Sequence, residues 1–590
     1  MGRIVELQRW LKENHCQGLL IPSTDEFLCE FAPPGSQRLK WATGFTGAVG
    51  MAIVLQERAA LVVDGRYVSQ ASAETRGLDI DIVPMSDRGQ EAWLIKNLKR
   101  GDQLAFDPAL HAFPEIEKLR GWVERSGIEL LMLSRNPVDD LWRENRDVGQ
   151  PSQVNDYPLK FAGQSSKDKC AAVCEWLNQE GLGGYLIADP EDVAWMLNVR
   201  AHDWPMVPVC LSRAFLESDG QISWCVERDR LAPALLARLK HTVALVPVDR
   251  FETTLRERAR DKAIAANLRR TPWKLASVIA DVGVLKNSPF IEHLRWRKNV
   301  SEIEGAKHAH HLDGRAIIRF LAWLSNAVSD RKVTELEAAE QLIAFRSESP
   351  EYLGRSMPLM SASGPSGALP HYVPTKESNR VLNDHPVYWI DSGGQYYGGT
   401  TDNTVAFALN EPERKHRVAH TLVLKGFIAL AMTRFPSGTL ASQLDSVARH
   451  HLWQRGMDYM HGTGHGVGSC LNIHEGPIIS KNSIFTPFNA PIEAGMILSN
   501  EPSYYAPGDF GIRIESHMLT VPSSFEGFLE FETLSRLPID PRLVDTSLLT
   551  TDEKRWLALY HQRVWAEYEG DLDAQSSAWL KEKVDHFIHG

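Results

Sequence analysis

Three histidines lie close together on a glycine-rich stretch, HGTGHGVGSCLNIHEGP, which spans residues 461–477. Glycine-rich loops often bind phosphate, but this one matches neither G-x-G-x-x-G nor G-x-x-x-x-G-K-[ST], the two nucleotide-binding patterns. Imidazole is a ligand for divalent metals, and glycines let the chain bring such a side chain close to its partners. The stretch therefore predicts a histidine ligand, whose partners must lie elsewhere in the chain.

Two aspartates lie in a predicted hairpin, PVYWIDSGGQYYGGTTDNTVAF, in which apolar strand residues flank a glycine-rich loop. A turn centred between Tyr396 and Tyr397 places Asp391 directly opposite Asp402, with Cβ atoms about 5 Å apart on one face. Two carboxylates at that distance repel each other unless a cation lies between them. Aspartate is also common near turns for structural reasons alone, so the pair needs further partners to indicate a metal.

Two glutamates lie in a second pair of strand-like runs, GMILSNEPSYYAPGDFGIRIESHMLTV. Glu501 ends the first run, and Glu515 lies inside the second, where an isoleucine-rich strand makes an unpaired carboxylate expensive to bury. Arg513 shares a face with Glu515 by the two-residue period of a strand. The segment therefore predicts either a metal ligand at Glu515 or a Glu515–Arg513 salt bridge.

Together these segments supply four acids and one histidine on apolar strands. Oxygen-rich sites with one imidazole suit Mn, Co, Zn or Mg rather than copper or an iron–sulfur cluster. Four carboxylates carry a charge of −4, which is enough to hold two divalent ions. Two ions about 3.5–4 Å apart can bridge and deprotonate one water molecule, so the pattern favours metal-assisted hydrolysis.

A weak internal repeat organises the first two-fifths of the chain. LQRWLKENHCQGLLIPSTDE begins at Leu7, and VCEWLNQEGLGGYLIADPED begins at Val173, 166 residues later. Each copy has the pattern of an amphipathic helix, a glycine turn and a short apolar strand, which predicts two related α/β domains. The polar segment 143–164 reads as a linker. The predicted divisions are an α/β domain at 1–142, the linker, a second α/β domain at 165–285, a catalytic domain at 286–535 and a helical tail at 536–590.

The catalytic domain is predicted to begin with helices and to continue with strands. A helical stripe of apolar residues follows SEIEGAKHAHHLDG, where His308, His310 and His311 lie mostly off the stripe. They are predicted to face solvent rather than to form a metal site. Thr334 and Glu337 have the spacing of a capping box. From 385 to 520, strand patterns alternate with glycine turns, which predicts an α+β domain with a largely antiparallel sheet.

Bulk properties exclude several classes of protein. The net charge of −11 argues against a general nucleic-acid binder, and we find no apolar run long enough to cross a bilayer. The charged N-terminus lacks the apolar core of a signal peptide. Seven scattered cysteines in a chain of 590 residues do not suggest a disulfide framework. We therefore expect a reduced, cytoplasmic, multidomain protein.

The segments DSGGQYYGGTTD, HGTGHGVGSCLNIHEGP, NEPSYY and GIRIE resemble those of the pita-bread metallopeptidases, and most of all those of the long, three-domain Xaa-Pro aminopeptidases. The resemblance extends into the N-terminal half through VVDGRYVSQA and DPEDVAWMLNVR. It extends to the C-terminus through a tail that the shorter relatives lack. The resemblance implies two N-terminal creatinase-like α/β domains followed by a pita-bread domain with a curved antiparallel sheet. It also implies release of the first residue from peptides with proline at the second position. Large members of the family usually form homodimers. The Trp- and Leu-rich tail (Trp556, Leu557, Leu559, Trp565) would then either form the dimer interface or pack within its own domain.

The resemblance implies five metal ligands. Asp391 would bind one metal, Asp402 and Glu515 would bridge both, and His465 and Glu501 would complete the other site. The cofactor would be two divalent ions, with Mn²⁺ expected and Co²⁺ or Zn²⁺ as alternatives.

Further residues would serve catalysis. Glu501 would take the proton of the attacking water, and His371 and His474 would donate hydrogen bonds to the developing oxyanion. Arg513 would orient an acid in or beside the site, and His461 matches a position at its edge.

Some positions depart from the family pattern. Val405 stands where the family has arginine, and Ser503 where glycine is usual; Ala201 and Val207 replace a glycine and an asparagine. Loss of a guanidinium near a bridging aspartate would alter substrate preference or local charge balance. Three alternatives follow. One is a prolidase or methionine aminopeptidase of the same fold, the second is a metal-free creatinase-type relative, and the third is a non-catalytic binding scaffold.

Overall fold

The computed structural model describes residues 2–483, 486 and 488–589. The chain divides into two compact units. The first contains Met1–Leu159 and Gln164–Leu294, and the second contains Lys160–Gly163 and Arg295–Gly590.

The first unit contains two six-stranded sheets of the same topology. In spatial order, the strands of the first sheet are Asp81–Pro84, Ala59–Val63, Gly50–Leu55, Gly18–Pro22, Gln103–Phe106 and Glu129–Met132. Those of the second are Val243–Val246, Ile222–Cys225, Arg213–Glu217, Gly184–Ile187, Ala263–Ala266 and Val284–Asn287. In both sheets the first strand in the chain is antiparallel to one neighbour and parallel to the other.

Helices cover these sheets. They are Arg3–Glu13, Arg38–Thr43, Val68–Glu74, Asp87–Asn97, Phe113–Ser126, Pro137–Leu141, Ser166–Gln179, Pro190–Leu197, Pro233–Leu239, Phe251–Ala259 and Trp273–Ala280. Helices Leu159–Ala162 and Phe290–Trp296 lie where the two units meet in sequence, and a two-residue ladder joins Asn155–Asp156 to Val199–Arg200.

The internal repeat is confirmed in the architecture. Helix Arg3–Glu13 leads into strand Gly18–Pro22, and helix Ser166–Gln179 leads into strand Gly184–Ile187. Leu11 and Leu177, which are 166 residues apart, are both fully buried. Each helix therefore packs its apolar face against the core as the sequence pattern predicts. The domain boundaries given above stay predictions.

The second unit joins helices to antiparallel sheets. Its helices are Val300–Asp330, Glu335–Ser347, Arg414–Ala431, Ala441–Trp453, Thr551–Tyr568 and Ala574–His589. One three-stranded sheet has the order Met360–Ser363, Val387–Ser392, Asn403–Ala408. A six-stranded sheet has the order Phe435–Pro436, Phe528–Thr533, Ser516–Pro522, Ile497–Asn500, Gly464–Gly466, Glu475–Ile479. Smaller ladders join Tyr352–Arg355, Gly394–Tyr396 and Gly399–Thr400, and Ser503–Ala506 to Phe510–Arg513. The recorded pairings of this unit are antiparallel, as predicted.

The long helix Val300–Asp330 corrects the prediction for the histidine cluster. His308 is exposed and contacts Glu351, as expected of a solvated face. His310, in contrast, is 1% exposed, and its ring nitrogens lie 3.0 Å from His517 Nδ1 and 2.9 Å from Ser535 Oγ. The prediction was wrong for this residue because a strand from the far end of the unit packs on that face of the helix and supplies polar partners.

The C-terminal helices pack largely within their own unit. Leu557 is 1% exposed, and the side chains of Trp556 and Trp565 pack against the main core, whereas Leu559 is 51% exposed. Of the described helices, none combines the length and apolarity needed to span a membrane.

The hairpin turns one residue later than predicted. Asp391 pairs with Thr404, and Tyr396 pairs with Gly399, so the turn is centred between Tyr397 and Gly398. Asp391 and Asp402 are therefore diagonal neighbours rather than directly opposed. Because the partner shifts by two positions and the side-chain period is two, both aspartates still face the same side of the sheet.

The turn of this hairpin lies against the long helix at a glycine pair. A Cβ at Gly305 would lie 2.4 Å from the carbonyl oxygen of Gly398, and a Cβ at Gly398 would lie 2.7 Å from the carbonyl oxygen of Gly305. Both contacts are with backbone, which cannot rotate away. The helix and the hairpin can approach this closely only because neither residue has a side chain, and the contact fixes the distance between them.

Gly305→Ala is therefore expected to lower the midpoint of thermal unfolding, since the methyl group forces the helix and hairpin apart. The matched control is Gly121→Ala in helix Phe113–Ser126, where the nearest atom is a flexible arginine nitrogen 3.7 Å away. There alanine should be neutral or stabilise by about 0.5–1 kcal/mol through helix propensity. Thermal denaturation followed by circular dichroism compares the two. An unchanged midpoint for Gly305→Ala would show that the contact does not constrain the hairpin.

Candidate metal centre

Five predicted ligands lie in strands of the second unit or directly beside them. Asp391 is near the end of Val387–Ser392, and Asp402 immediately precedes Asn403–Ala408. His465 is central in Gly464–Gly466, Glu501 follows Ile497–Asn500, and Glu515 precedes Ser516–Pro522. Strands Gly464–Gly466 and Ile497–Asn500 pair at Gly466 and Leu498, which brings the third and fourth ligands together.

Three of these side chains form a tight cluster. Asp402, His465 and Glu515 each present one ligand atom, and the three atoms lie within 4.8 Å of one another. All three side chains are buried. His465 Nε2 lies 3.8 Å from Asp402 Oδ2 and 3.7 Å from Glu501 Oε1, so Glu501 borders the cluster.

The buried carboxylates have oxygens that no described residue satisfies. Asp391 Oδ1, Asp402 Oδ1 and Glu515 Oε1 are fully buried, and none has a hydrogen-bond partner among the described residues. A buried carboxylate oxygen without a donor is costly unless a cation takes the donor's place. The residues present therefore fit divalent cations, since they offer hard oxygen ligands at a point that lacks donors.

Burial and mutual repulsion raise the pKa of two of these acids. Burial raises the pKa of Asp402 well above its ordinary value, and the charges of Glu515, Asp391 and Glu501 raise it further. Burial likewise raises the pKa of Glu515, with Glu501 and Asp391 adding to the effect and Arg513 opposing it. Without a cation the protein alone disfavours the ionised forms of both groups, so a divalent ion has a clear electrostatic role here.

The backbone orients the histidine ligand. His465 Nδ1 lies 2.9 Å from the carbonyl oxygen of Gly466, which can only accept a hydrogen bond. Nδ1 therefore carries the proton, and Nε2 has its lone pair directed at the acids. The amide of His465 donates to Ser499 Oγ at 2.9 Å, which fixes the strand at this point.

Arg513 links several parts of the site. Its guanidinium forms an ion pair with Asp391, donates to Thr404 Oγ1 at 3.1 Å and lies over the ring of Trp389. Thr404 Oγ1 in turn donates to Glu515 Oε2 at 2.9 Å. The alternative of a Glu515–Arg513 salt bridge is therefore wrong. The arginine is turned toward Asp391, and a threonine hydroxyl bridges it to Glu515.

Two further histidines lie beside the cluster, and a third lies on a loop that Arg513 contacts. The ring of His474 is 4.5 Å from that of His465 in an edge-to-face arrangement. His461 is 7% exposed, with Nε2 3.0 Å from Tyr505 Oη and Nδ1 3.7 Å from Glu501 Oε2. His371 is half-buried on a loop whose preceding residue, Pro370, accepts a hydrogen bond from Arg513 at 3.0 Å.

Sequence reasoning did not identify Tyr505. Its hydroxyl accepts from Arg513 Nη1 at 2.8 Å and lies 3.0 Å from His461 Nε2, so it joins the arginine at Asp391 to the histidine at Glu501. NEPSYY contains this tyrosine, but nothing in its spacing distinguishes it from Tyr504.

Sequence reasoning also missed a buried ion pair that supports the aspartate hairpin. Arg346 Nε donates to Asp313 Oδ1 at 2.6 Å, and both residues are at most 1% exposed. Asp313 also accepts from Tyr396 Oη at 2.9 Å and Asn403 Nδ2 at 2.8 Å, while Arg346 donates to the carbonyl oxygen of Ser392 at 3.2 Å. The pair thus binds both strands of the hairpin next to the two aspartates.

Val405 and Ser503 are the two departures from the family pattern that lie nearest the site, and neither replaces a residue that faces the predicted metals. Val405 pairs with Ile390, and alternation along the strand places it on the face opposite Thr404 and Asp391. It belongs to the main hydrophobic core. The expected effect of this substitution on substrate preference or local charge balance stays a prediction. Ser503 is buried, and its hydroxyl donates to the carbonyl oxygen of Glu501 at 3.0 Å.

Family models cover most of the chain. Residues 304–522 match the model described as metallopeptidase family M24, and residues 527–587 match the C-terminal region of peptidase M24. Residues 3–131 and 145–302 match two models of the creatinase/prolidase N-terminal domain. Two matches of this kind in the first half agree with its duplicated architecture.

Similar proteins align over nearly the whole length. A probable Xaa-Pro aminopeptidase P of Paracoccidioides brasiliensis (strain Pb03) is 33% identical, with 99% of this chain and 98% of that protein covered. A probable Xaa-Pro aminopeptidase P of Talaromyces marneffei is 32% identical, with 99% and 92% covered. The crystal structure of X-prolyl aminopeptidase from Caenorhabditis elegans, described as a cytosolic enzyme with a di-nuclear active site, has a TM-score of 0.91 and 30% identity, with 96% and 95% covered. The chain therefore belongs to metallopeptidase family M24, within the family of the Xaa-Pro aminopeptidases P.

Proposed function

We propose that this protein is a metal-dependent aminopeptidase that releases the N-terminal residue from peptides with proline at the second position. The observation that carries the proposal is the buried cluster of Asp402, Glu515 and the oriented imidazole of His465, bordered by Glu501 and Asp391. Three of its buried carboxylate oxygens lack donors. The names of the fungal relatives and of the Caenorhabditis elegans enzyme support the substrate class and a two-metal centre.

The five ligands would hold two divalent ions, with Asp402 and Glu515 between them. Such ions would supply a nucleophile from water at neutral pH and polarise the scissile carbonyl. Mn²⁺ is our choice, with Co²⁺ or Zn²⁺ as alternatives, because hard carboxylate oxygens dominate the ligand set.

The chain's own groups perform the remaining tasks. Glu501 has 17% of its side chain exposed, which is more than the other four predicted ligands, so it is best placed to accept the proton of the attacking water. His474, beside His465, and His371, beside the Arg513 anchor, would donate hydrogen bonds to the developing oxyanion. Arg513 and Tyr505 would keep Asp391 and His461 in place.

Location and assembly are also part of the proposal. All seven cysteines are free thiols, which agrees with a reducing, cytoplasmic compartment. We propose a homodimer that binds neither nucleic acid nor membrane. The exposed Leu559 is a candidate for its contact surface, whereas Leu557 is already buried within the chain.

A peptide set tests the activity. Purified protein with Mn²⁺ is expected to release the first residue from X-Pro-Y and to leave X-Ala-Y and the dipeptide X-Pro largely intact, as measured by chromatography of the products. Cleavage of X-Pro alone would favour a prolidase. Failure to cleave any peptide with Mn²⁺, Co²⁺ or Zn²⁺ would favour a binding scaffold.

Asp402→Asn tests the metal centre. Loss of one carboxylate should reduce the metal content below two ions per chain and lower kcat/KM by at least about 10²-fold, the scale of losing one group that stabilises a transition state. Elemental analysis and peptide assays provide the two readouts. The control is Asp509→Asn, because this exposed acid pairs with Lys415 in the second unit and should leave both values unchanged. Full activity of Asp402→Asn would rule out the proposed centre.

A further inference from the structure

Glu335 is a buried acid that the mechanism above does not use. It is the first residue of helix Glu335–Ser347, directly after the N-cap Thr334, whose hydroxyl accepts from the amide of Glu337 at 3.3 Å. The predicted capping box is thus half formed, because the Glu337 carboxylate binds Arg331 instead. Glu335 itself is 0% exposed. A helix N-terminus favours negative charge, but a fully buried carboxylate also needs donors.

Four donors fill the acceptor positions of this carboxylate. Oε1 accepts from the amide of Ser363 at 2.8 Å and from its hydroxyl at 3.0 Å. Oε2 accepts from the hydroxyl of Tyr372 at 2.8 Å and from the amide of Arg380 at 3.1 Å. Two oxygens with two donors each saturate the group. An amide cannot reproduce this pattern, because its NH₂ group would face one of the two backbone N–H groups.

These donors belong to one loop, residues 364–381 and its first flanking residue, Ser363. The loop leaves strand Met360–Ser363 and returns to the same helix, where Glu335 N donates to the carbonyl oxygen of Arg380 at 3.0 Å and Leu336 N donates to Asn379 Oδ1 at 3.0 Å. Residues 375–377, in contrast, are exposed. Glu335 therefore joins the beginning, middle and end of this segment.

His371 lies between two anchors of this loop. On one side, Pro370 accepts from Arg513, the residue that pairs with Asp391. On the other side, Tyr372 donates to Glu335 and also contacts Ser378 Oγ at 2.9 Å. One neighbour of the histidine is thus attached to the metal-centre arginine, and the other is attached to the buried acid.

We infer that Glu335 is a positioning residue that fixes His371 relative to the metal centre through Tyr372. The inference rests on the proposed function, since it requires that His371 contact the substrate. Its physical basis is that a displacement of about 1 Å in a catalytic group can cost on the order of 10²-fold in rate, while a loop with an exposed tip has many conformations of similar energy. Four hydrogen bonds to one rigid carboxylate reduce those conformations.

Two variants test the inference, with Glu340→Gln as the matched control because it is exposed on the same helix. Glu335→Gln should lose one backbone hydrogen bond. Tyr372→Phe should lose the hydroxyl's link to Glu335, together with its contacts to Ser378, and keep the ring. Both are expected to lower kcat for X-Pro-Y by about 10- to 100-fold with little change in KM and with metal content unchanged. Tyr372→Phe keeps the test open if Glu335→Gln does not fold.

A double-mutant cycle with His371→Ala separates positioning from simple stabilisation. If Glu335 and Tyr372 act through His371, Tyr372→Phe should cause no further loss of kcat in the His371→Ala background. An equal loss in both backgrounds would overturn the inference. So would an unchanged kcat for His371→Ala, although the metal centre and the aminopeptidase activity would then still stand.

Hydrogen exchange tests the inference without an activity assay, so it also applies if the parent protein shows no peptidase activity. Hydrogen exchange of residues 364–381, followed by mass spectrometry, should be faster in Tyr372→Phe and Glu335→Gln than in the parent chain and in Glu340→Gln. If the parent protein cleaves no X-Pro-Y peptide, the proposed function fails, while this measurement still decides whether Glu335 holds the loop. Unchanged exchange in both variants would overturn the inference.

Discussion

Mutual repulsion among buried carboxylates is the constraint on which the second unit depends. Asp402, Glu501 and Glu515 gather around His465, and Asp391 lies next to Asp402. Two of the four acids have raised pKa values because burial and neighbouring charges disfavour ionisation. At an effective dielectric constant of 20, two unit charges 4 Å apart interact by about 4 kcal/mol. Arg513 supplies one positive charge against four potential negative ones. The acids can either take up protons or bind divalent cations, and only cations account for both the ligand chemistry of the site and the buried oxygens that lack donors.

Such a site must be held together by groups outside it. Antiparallel strands bring the ligands to one face. The Arg346–Asp313 pair forms hydrogen bonds to both strands of the aspartate hairpin, next to the two aspartates. The Gly305–Gly398 contact fixes the hairpin against the long helix. A buried ion pair is weak evidence for stability by itself, because desolvation offsets its attraction. Its value here is geometric, since it fixes the positions of acids that would otherwise move apart.

The histidines that would face the substrate are likewise held by groups outside the metal centre. His461 is joined through Tyr505 to Arg513, and His371 lies on a loop attached to Arg513 at Pro370 and to Glu335 at Tyr372. Charged and polar groups buried away from the metals thus orient the residues that would face the peptide. Outer contacts of this kind orient ligands and catalytic groups with a precision that loops alone do not provide.

The sequence by itself determined the composition of the site and the type of its elements. Asp391, Asp402, Glu501 and Glu515 stand out because each is a ligand-type residue in an apolar strand or glycine-rich pattern, whereas the family resemblance picks His465 out of its stretch. The repeat is visible because each copy carries its own local pattern of helix, turn and strand. Only the tertiary structure decided the register of the hairpin, the burial of His310, the partner of Arg513 and the roles of Tyr505, Asp313 and Glu335. These depend on residues far apart in the chain: Asp313 and Tyr396 are 83 positions apart, and His310 and Ser535 are 225 apart. Local pattern determines which face of an element is apolar, but the partner of a buried polar group is set by which distant element packs against it.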